Sequence, residues 1–454
     1  MPDGAEHRHD QHDAEPMSPE FSDDALALEF SAEHDGRLVH VAEWGQWRKW
    51  DGCRWATDNT LTVFDLARAI CRRAADRALG HSEEKARLAA IVASAQKVAA
   101  VERLARSDRR HARASDDFDA DPFALNTPAG VVDLRTGTLR PHRRGDYFTK
   151  VTGAGPGGDC PRFLAFLQEV TGGDRAFVAF LRRWFGYCLT GSTREHKVVV
   201  LKGPGGNGKS LLLSTIADAI GDYATSADTS LFTAGRHEQH PTGLADLRGA
   251  RLVVAQETEA GARLAEARLK ALTGGDRVKA RFMRADFFEF TPTFKLVMAT
   301  NHSPAIRSAD AAMRRRLLFL PFTYVPPMPD PELPDRLRAE LPGILAWLIA
   351  GCLEWQEHGL EPPAVVLDAT AAYFAEQDLL ARWIAERTER QETAQAPATA
   401  LYRDWQAWAR DQGEEPGTVK AFSEALERVF AKKRTKHGQV FLGLRLRPSD
   451  TGVM

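Results

Sequence analysis

The sequence predicts an α/β protein with a parallel sheet at its centre, and three observations carry the prediction. The run VVVLKGPGGNGKSLLLS, residues 198–214, sets an apolar strand, a glycine-rich loop and the start of a helix in direct succession. Two further apolar runs, 251–256 and 295–300, read as strands and end at polar residues, Glu257 and Asn301. Amphipathic helical patterns fill most of the chain around them, and strands separated by helices make a parallel sheet.

The glycine-rich loop is the most specific of these. Residues 203–210 read G-P-G-G-N-G-K-S and fit G-x-x-x-x-G-K-[ST] at each fixed place. Gly203, Gly205, Gly206 and Gly208 let the backbone turn so that successive N–H groups face a β-phosphate. Lys209 then reaches the β- and γ-phosphates, and Ser210 ligates Mg²⁺. The whole loop, with Pro204 and Asn207 included, is the expected ATP site. Glu257, with Glu259 two residues on, stands at the end of the second strand, read as the neighbour of the first, where such a site needs a metal ligand and a base for water. Asn301 is placed to touch the γ-phosphate or to orient the attacking water.

Composition sets the frame. The chain has 454 residues, 43% hydrophobic content and a net charge of −2, enough for about three cores of ~150 residues each. With no overall positive field, contact with nucleic acid has to come from local basic patches. Five scattered cysteines without C-x-x-C spacing argue against zinc and against a disulfide framework. The longest apolar run, 344–353, is too short for a membrane span, so no membrane partner and a cytoplasmic location are expected.

Residues 1–24 are rich in His, Asp, Glu and Pro and read as a disordered tail, with His7, His9 and His12 solvated. From 38 to 55 the chain alternates and carries Trp44, Trp47, Trp50 and Trp55 around Asp51-Gly52, a hairpin signal. Cross-strand core pairs outweigh base stacking as the use of these rings. Helices follow over 61–79 and 83–105. The acidic run DDFDAD, 116–121, reads as a surface turn rather than a metal site, ahead of a strand–turn–strand stretch. Residues 161–189 form an apolar-faced helical block.

After the second strand, 278–283 and 287–290 alternate as an inserted hairpin, with Lys279, Arg281 and Arg284 on its basic side or tip. Arg314-Arg315-Arg316 precede the apolar LLFLPF. Near the C-terminus a break at 391–399 is followed by two helical stretches and the basic KKRTKHGQVFLGLRL. This order suggests a winged helix, with Lys432, Lys433, Arg434 and Lys436 near the wing and within reach of DNA phosphates.

Taken in order, FALNTPAGVVDLRTGTLRP, GPGGNGKS, RLVVAQETE, LKALTGGDRVKAR, FKLVMATN and AMRRRLLFLPF resemble the superfamily 3 helicases, most closely the helicase module of phage and plasmid primase-helicases related to the poxvirus primase-helicase. The resemblance implies an AAA+-like ATPase core and a hexameric ring around DNA, with ATP bound between subunits. It assigns the arginine finger to Arg316, with Arg315 as second choice, and the pore contacts to Lys279, Arg281 or Arg284. The expected organisation is a tail (1–24), an α+β pre-helicase region (25–150), a helical collar (151–190), the ATPase core (191–327), a helical segment (328–392) and a winged-helix-like domain (398–446). No primase motif is legible, so a separate primase is an expected partner. The function expected is an ATP-dependent replicative DNA helicase of a phage, prophage, satellite or plasmid. The alternatives are an AAA+ ATPase for DNA packaging or remodelling and an ATP-regulated origin-binding protein.

Overall fold

A computed structural model describes residues 19–234, 242–256, 262–283, 286–306, 310–328, 330–436 and 438–447. The chain divides into two compact units: residues 1–157 with 219–223, and residues 158–218 with 224–454.

The first unit runs α1 (Asp23–Glu33), β1 (Leu38–Val41), β2 (Gln46–Trp50), β3 (Trp55–Thr57), α2 (Thr62–Ala78), α3 (Glu83–Val92), α4 (Ala95–Ala105), β4 (Ala112–Arg113), β5 (Ala124–Thr127), β6 (Gly130–Asp133) and β7 (Thr138–Arg140). Strands β3-β2-β1-β4 form one sheet, and the expected Asp51-Gly52 turn joins β2 to β3. Trp47 and Trp55 are buried, and Trp47 donates from its indole to Glu102 at 2.6 Å, so these rings serve as core. The helix read as 83–105 is two helices. Ser94 caps the second by accepting from the Lys97 amide, a side-chain signal that apolar periodicity does not register. The acidic run is consumed locally: Asp117 accepts from the Ala114 amide, Asp119 from the Thr149 amide, and Asp121 pairs with Arg135 at 2.9 Å. No cluster of three metal-ligating side chains occurs among the described residues.

The second unit runs α5 (Pro161–Val170), α6 (Arg175–Cys188), β8 (Val198–Lys202), α7 (Lys209–Ile220), β9 (Ala224–Ala227), α8 (Thr242–Ala245), β10 (Leu252–Gln256), α9 (Glu266–Gly274), β11 (Val278–Ala280), β12 (Phe288–Phe290), β13 (Lys295–Thr300), α10 (Ala311–Arg314), β14 (Leu317–Pro321), α11 (Leu333–Ala339), α12 (Leu341–His358), α13 (Ala364–Gln377), α14 (Leu379–Arg387), β15 (Thr388–Pro397), α15 (Ala398–Asp411), α16 (Val419–Glu427), β16 (Lys432–Thr435) and β17 (Gly438–Leu446). The expected parallel sheet is present in the order β14-β8-β13-β10-β9. Strands β8, β10 and β13 are largely buried runs of Val, Leu, Met and Ala, as a sheet covered on both faces requires. One part of the reading is corrected: the strand ending at Gln256 is not next to β8, because β13 lies between them. Apolar runs identify strands without giving their lateral order.

Helices α6 and α12 pack backbone to backbone. A Cβ on Gly186 would lie 2.2 Å from the Cys352 amide nitrogen, and one on Gly351 would lie 2.1 Å from the Arg182 carbonyl oxygen. Only glycine permits that approach.

At the C-terminal end, β15-β17-β16 form an antiparallel sheet under α14, α15 and α16, around Trp383, Trp405, Phe422 and Phe441. The stretch read as a break is mostly strand β15, with an irregularity between Arg390 and Gln395. It lies at a sheet edge and buries only Thr388 and Ala396, so its sequence carries no apolar alternation. Among the described residues no helix is long and apolar enough to cross a membrane.

Candidate functional site

The glycine-rich loop joins the carboxyl end of β8 to the amino end of α7, the place where open parallel sheets hold ligands. Its glycines do different work. A Cβ on Gly203 would fall 1.8 Å from the Phe322 carbonyl oxygen, and one on Gly208, at φ +81°, would fall 2.8 Å from Val170 Cγ1. Gly206 has φ +75°, whereas Gly205 faces open space. The loop is thus clamped by the start of the segment after β14 on one flank and by the end of α5 on the other.

Lys209 is the centre of this arrangement. Its side chain is only 6% exposed, and Nζ donates to Gly203 O at 2.7 Å, Pro204 O at 2.9 Å, Asn207 Oδ1 at 3.0 Å and Asn301 Oδ1 at 3.2 Å. Asn207 is itself held, donating from Nδ2 to Phe322 O at 2.5 Å. Burial pushes the Lys209 amine below its ordinary range. The described residues thus give the ammonium four neutral oxygens and no carboxylate. The amine also sits at the positive end of α7, a position that favours an anion. Ser210 is exposed in the first turn, and its hydroxyl has no partner among the described residues. A caged cation, open backbone at Gly205 and a free hydroxyl fit a polyphosphate with its metal.

Asn301 reaches Lys209 because β13 is the strand adjacent to β8. Glu257 and Glu259 lie outside the described residues, beyond the end of β10.

The three arginines before β14 face different surroundings. Arg314 lies 3.7 Å from Asp378 and over the Phe374 ring. Arg316 is half-buried and donates to Thr273 Oγ1 at 3.2 Å and to Ala312 O at 3.1 Å. Arg315 is exposed, with no guanidinium partner among the described residues.

The β11–β12 hairpin carries Lys279 and Arg281 above the ring of Phe287, at 5.1 and 4.9 Å. Phe287, 50% exposed, is a feature that charge counting missed; its alternation within 287–290 was the available signal. Arg284 lies outside the described residues. In β16 and its turn, Lys433, Arg434 and Lys436 are exposed, while Lys432 lies 3.5 Å from Glu427 and over the Phe441 ring.

Comparison with known proteins covers both units. Residues 27–172 match the family described as D5 N terminal like, and residues 201–316 match a family of unknown function, DUF5906. "Putative helicase L207/L206" of Acanthamoeba polyphaga mimivirus is 27% identical over 321 residues, covering 64% of this chain and 33% of that protein. "Putative helicase 022R" of Frog virus 3 (isolate Goorha) is 26% identical over 303 residues, 61% of this chain and 31% of that protein. The matched part is thus about a third of each relative's length. The apo structure of the NrS-1 C terminal region (305-718) is a distant likeness at 10% identity and TM-score 0.49, covering 92% of this chain and 98% of that one. With a D5 N terminal like region ahead of the sheet that bears G-x-x-x-x-G-K-S, and viral relatives named putative helicases, the comparisons support a primase-helicase-like protein of the phage and viral kind.

Proposed function

We propose that the chain is an ATP-driven DNA helicase acting in replication of a phage or related element. One observation carries the reading: Lys209, buried at the head of α7 with no counter-charge among the described residues, is shared between the loop carbonyls and Asn301 of the adjacent strand. A triphosphate there exchanges neutral acceptors for anionic ones. Lys209 would neutralise the β- and γ-phosphates, the loop amides would orient them, and Asn301 would hold the terminal phosphate or the incoming water. Mg²⁺, held by the Ser210 hydroxyl and the Glu257 carboxylate, would supply charge neutralisation at the phosphate oxygens. Glu257 or Glu259 would take the proton of the attacking water.

An AAA+-type ring, a hexamer by family resemblance, would bring the arginines before β14 to a neighbour's site. Arg315, whose guanidinium has no partner among the described residues, fits that role better than Arg316, which is engaged within its own chain; this reverses the order taken from sequence. The β11–β12 hairpin would meet DNA through Lys279, Arg281 and Arg284, and the winged-helix-like C-terminal segment through Lys433, Arg434 and Lys436. The domain limits expected from sequence are proposed with this reading.

The test is turnover. Lys209→Ala should lower ATP hydrolysis by about 10³-fold, some 4 kcal/mol of barrier, in a chain that still folds. Wild-type turnover in a folded Lys209→Ala protein would remove the assignment. For the finger, mixing Arg315→Ala with Lys209→Ala chains should restore part of the hydrolysis lost by each, while the Arg316→Ala mixture should not.

A further inference from the structure

After β14 the chain runs Phe322-Thr323-Tyr324-Val325-Pro326-Pro327 beside the glycine-rich loop. It is fixed there at one point and passes close by at a second. The Phe322 carbonyl accepts from Asn207 and fills the space a Gly203 side chain would need. Val325 Cγ1 lies 3.7 Å from where a Cβ of Gly206 would stand, at the crown of the loop. Two prolines follow directly and stiffen the backbone.

Despite this anchoring, Tyr324 is 38% and Val325 47% exposed. The opposite flank offers no such surface: Phe166 and Val170, which contact Gly208, are 2% exposed and belong to the core. Apolar surface next to the loop is therefore available on the Tyr324–Val325 side, two residues beyond the anchor that the Phe322 carbonyl provides.

We propose that Tyr324 and Val325 form a base subsite, taking the purine ring of a nucleotide whose phosphates lie on residues 203–210. The proposal rests on the nucleotide reading of the loop and adds what the loop lacks. Backbone amides and Lys209 recognise phosphate charge and are indifferent to the base. A flat heteroaromatic ring gains instead from an aromatic face and an aliphatic edge, whose contact reads ring area rather than edge chemistry. ATP and GTP are then accepted alike, and pyrimidine nucleotides more weakly.

The experiment is calorimetric titration of the full chain with Mg·ADP and, separately, with magnesium tripolyphosphate, which has the phosphates without a base. Tyr324→Ala should weaken ADP on the order of tenfold and leave tripolyphosphate unchanged. Tyr324→Phe should retain ADP affinity, and Val325→Asp should lose it as Tyr324→Ala does. Equal weakening of both ligands by Tyr324→Ala would make the segment a prop for the loop and overturn the subsite. So would unchanged ADP affinity in both Tyr324→Ala and Val325→Asp. A wild-type chain that binds neither ligand, or tripolyphosphate binding that survives Lys209→Ala, would instead remove the phosphate reading and the subsite with it.

Discussion

Two lysines buried at opposite ends of the parallel sheet show how the same charge is put to different uses. Lys209 stands beyond the carboxyl end of β8 and Lys295 begins β13 at the amino end. Each is almost fully buried, and each is satisfied by neutral oxygens. Lys295 donates to the carbonyls of Thr190, Ser192 and Thr293 and rests over the Tyr187 ring at 4.8 Å. Two of those carbonyls lie just past α6, whose negative end attracts cations, and Arg251 donates to a third, that of Leu189. Lys295 thus closes a helix end inside the core. Lys209 sits at a positive helix end beside open backbone, where its charge has use only when an anion arrives. Burial alone does not mark a functional cation; the sign of the neighbouring helix end and access to solvent separate the two.

Several substitutions sharpen this contrast. The largest effect belongs to exchanging the roles: Lys209→Ala should remove turnover, as above, while Lys295→Ala should act on folding and cost about 3 kcal/mol or more, seen as a lower urea midpoint, because it strips donors from buried carbonyls. A Lys295→Ala protein of normal stability and lost hydrolysis would erase the distinction.

Next comes the backbone around the loop. Gly203→Ala drives a methyl into the Phe322 carbonyl and should cost more than about 2 kcal/mol, whereas Gly205→Ala meets nothing and should stay within about 0.5 kcal/mol. Chemical denaturation of the two variants side by side decides it.

The smallest effect is a pH slope. Burial lowers the Lys295 pKa to about 7. In the unfolded chain the amine keeps its ordinary value near 10.4. Between these values the unfolded state binds more protons than the folded one, so this group makes stability rise with pH from about 7 to about 10, by at most about 1.4 kcal/mol per unit. Below pH 7 both states carry the charge and the slope vanishes. Lys295→Met should flatten the rise, and an identical pH–stability curve in that variant would show the amine is not desolvated.

The glycine-rich loop was legible because its backbone conformation restricts the residue types: Gly203 and Gly208 are there for lack of room, and Lys209 follows at fixed spacing. Asn301 was legible because it ends an apolar run. The partnership of Asn301 with Lys209 was not, since it depends on β13 entering the sheet between β8 and β10. The long helix over 83–105 was divided by a single serine cap, and β15 was hidden because an edge strand needs no apolar face. Arg315 and Arg316 differ only in what surrounds them, and adjacent identical residues cannot be told apart before folding. Tyr324 and Val325 escaped notice for a related reason: an aromatic–aliphatic pair after a strand reads as core until its exposure is known.

Strand β13 is, mechanically, a tie rod. Its six residues span roughly 20 Å, and in the middle of a five-stranded parallel sheet it has little freedom to bend. One end is latched to the α6 terminus by the Lys295 amine; just past the other, Asn301 grips the Lys209 amine. Both amines therefore hang on one rigid element, so the length of a single strand sets the separation between the glycine-rich loop and the α6 terminus. The α6 terminus is in turn set by the glycine contact with α12, so the place of the Lys209 amine is referred, through β13, to the packing of that helix pair.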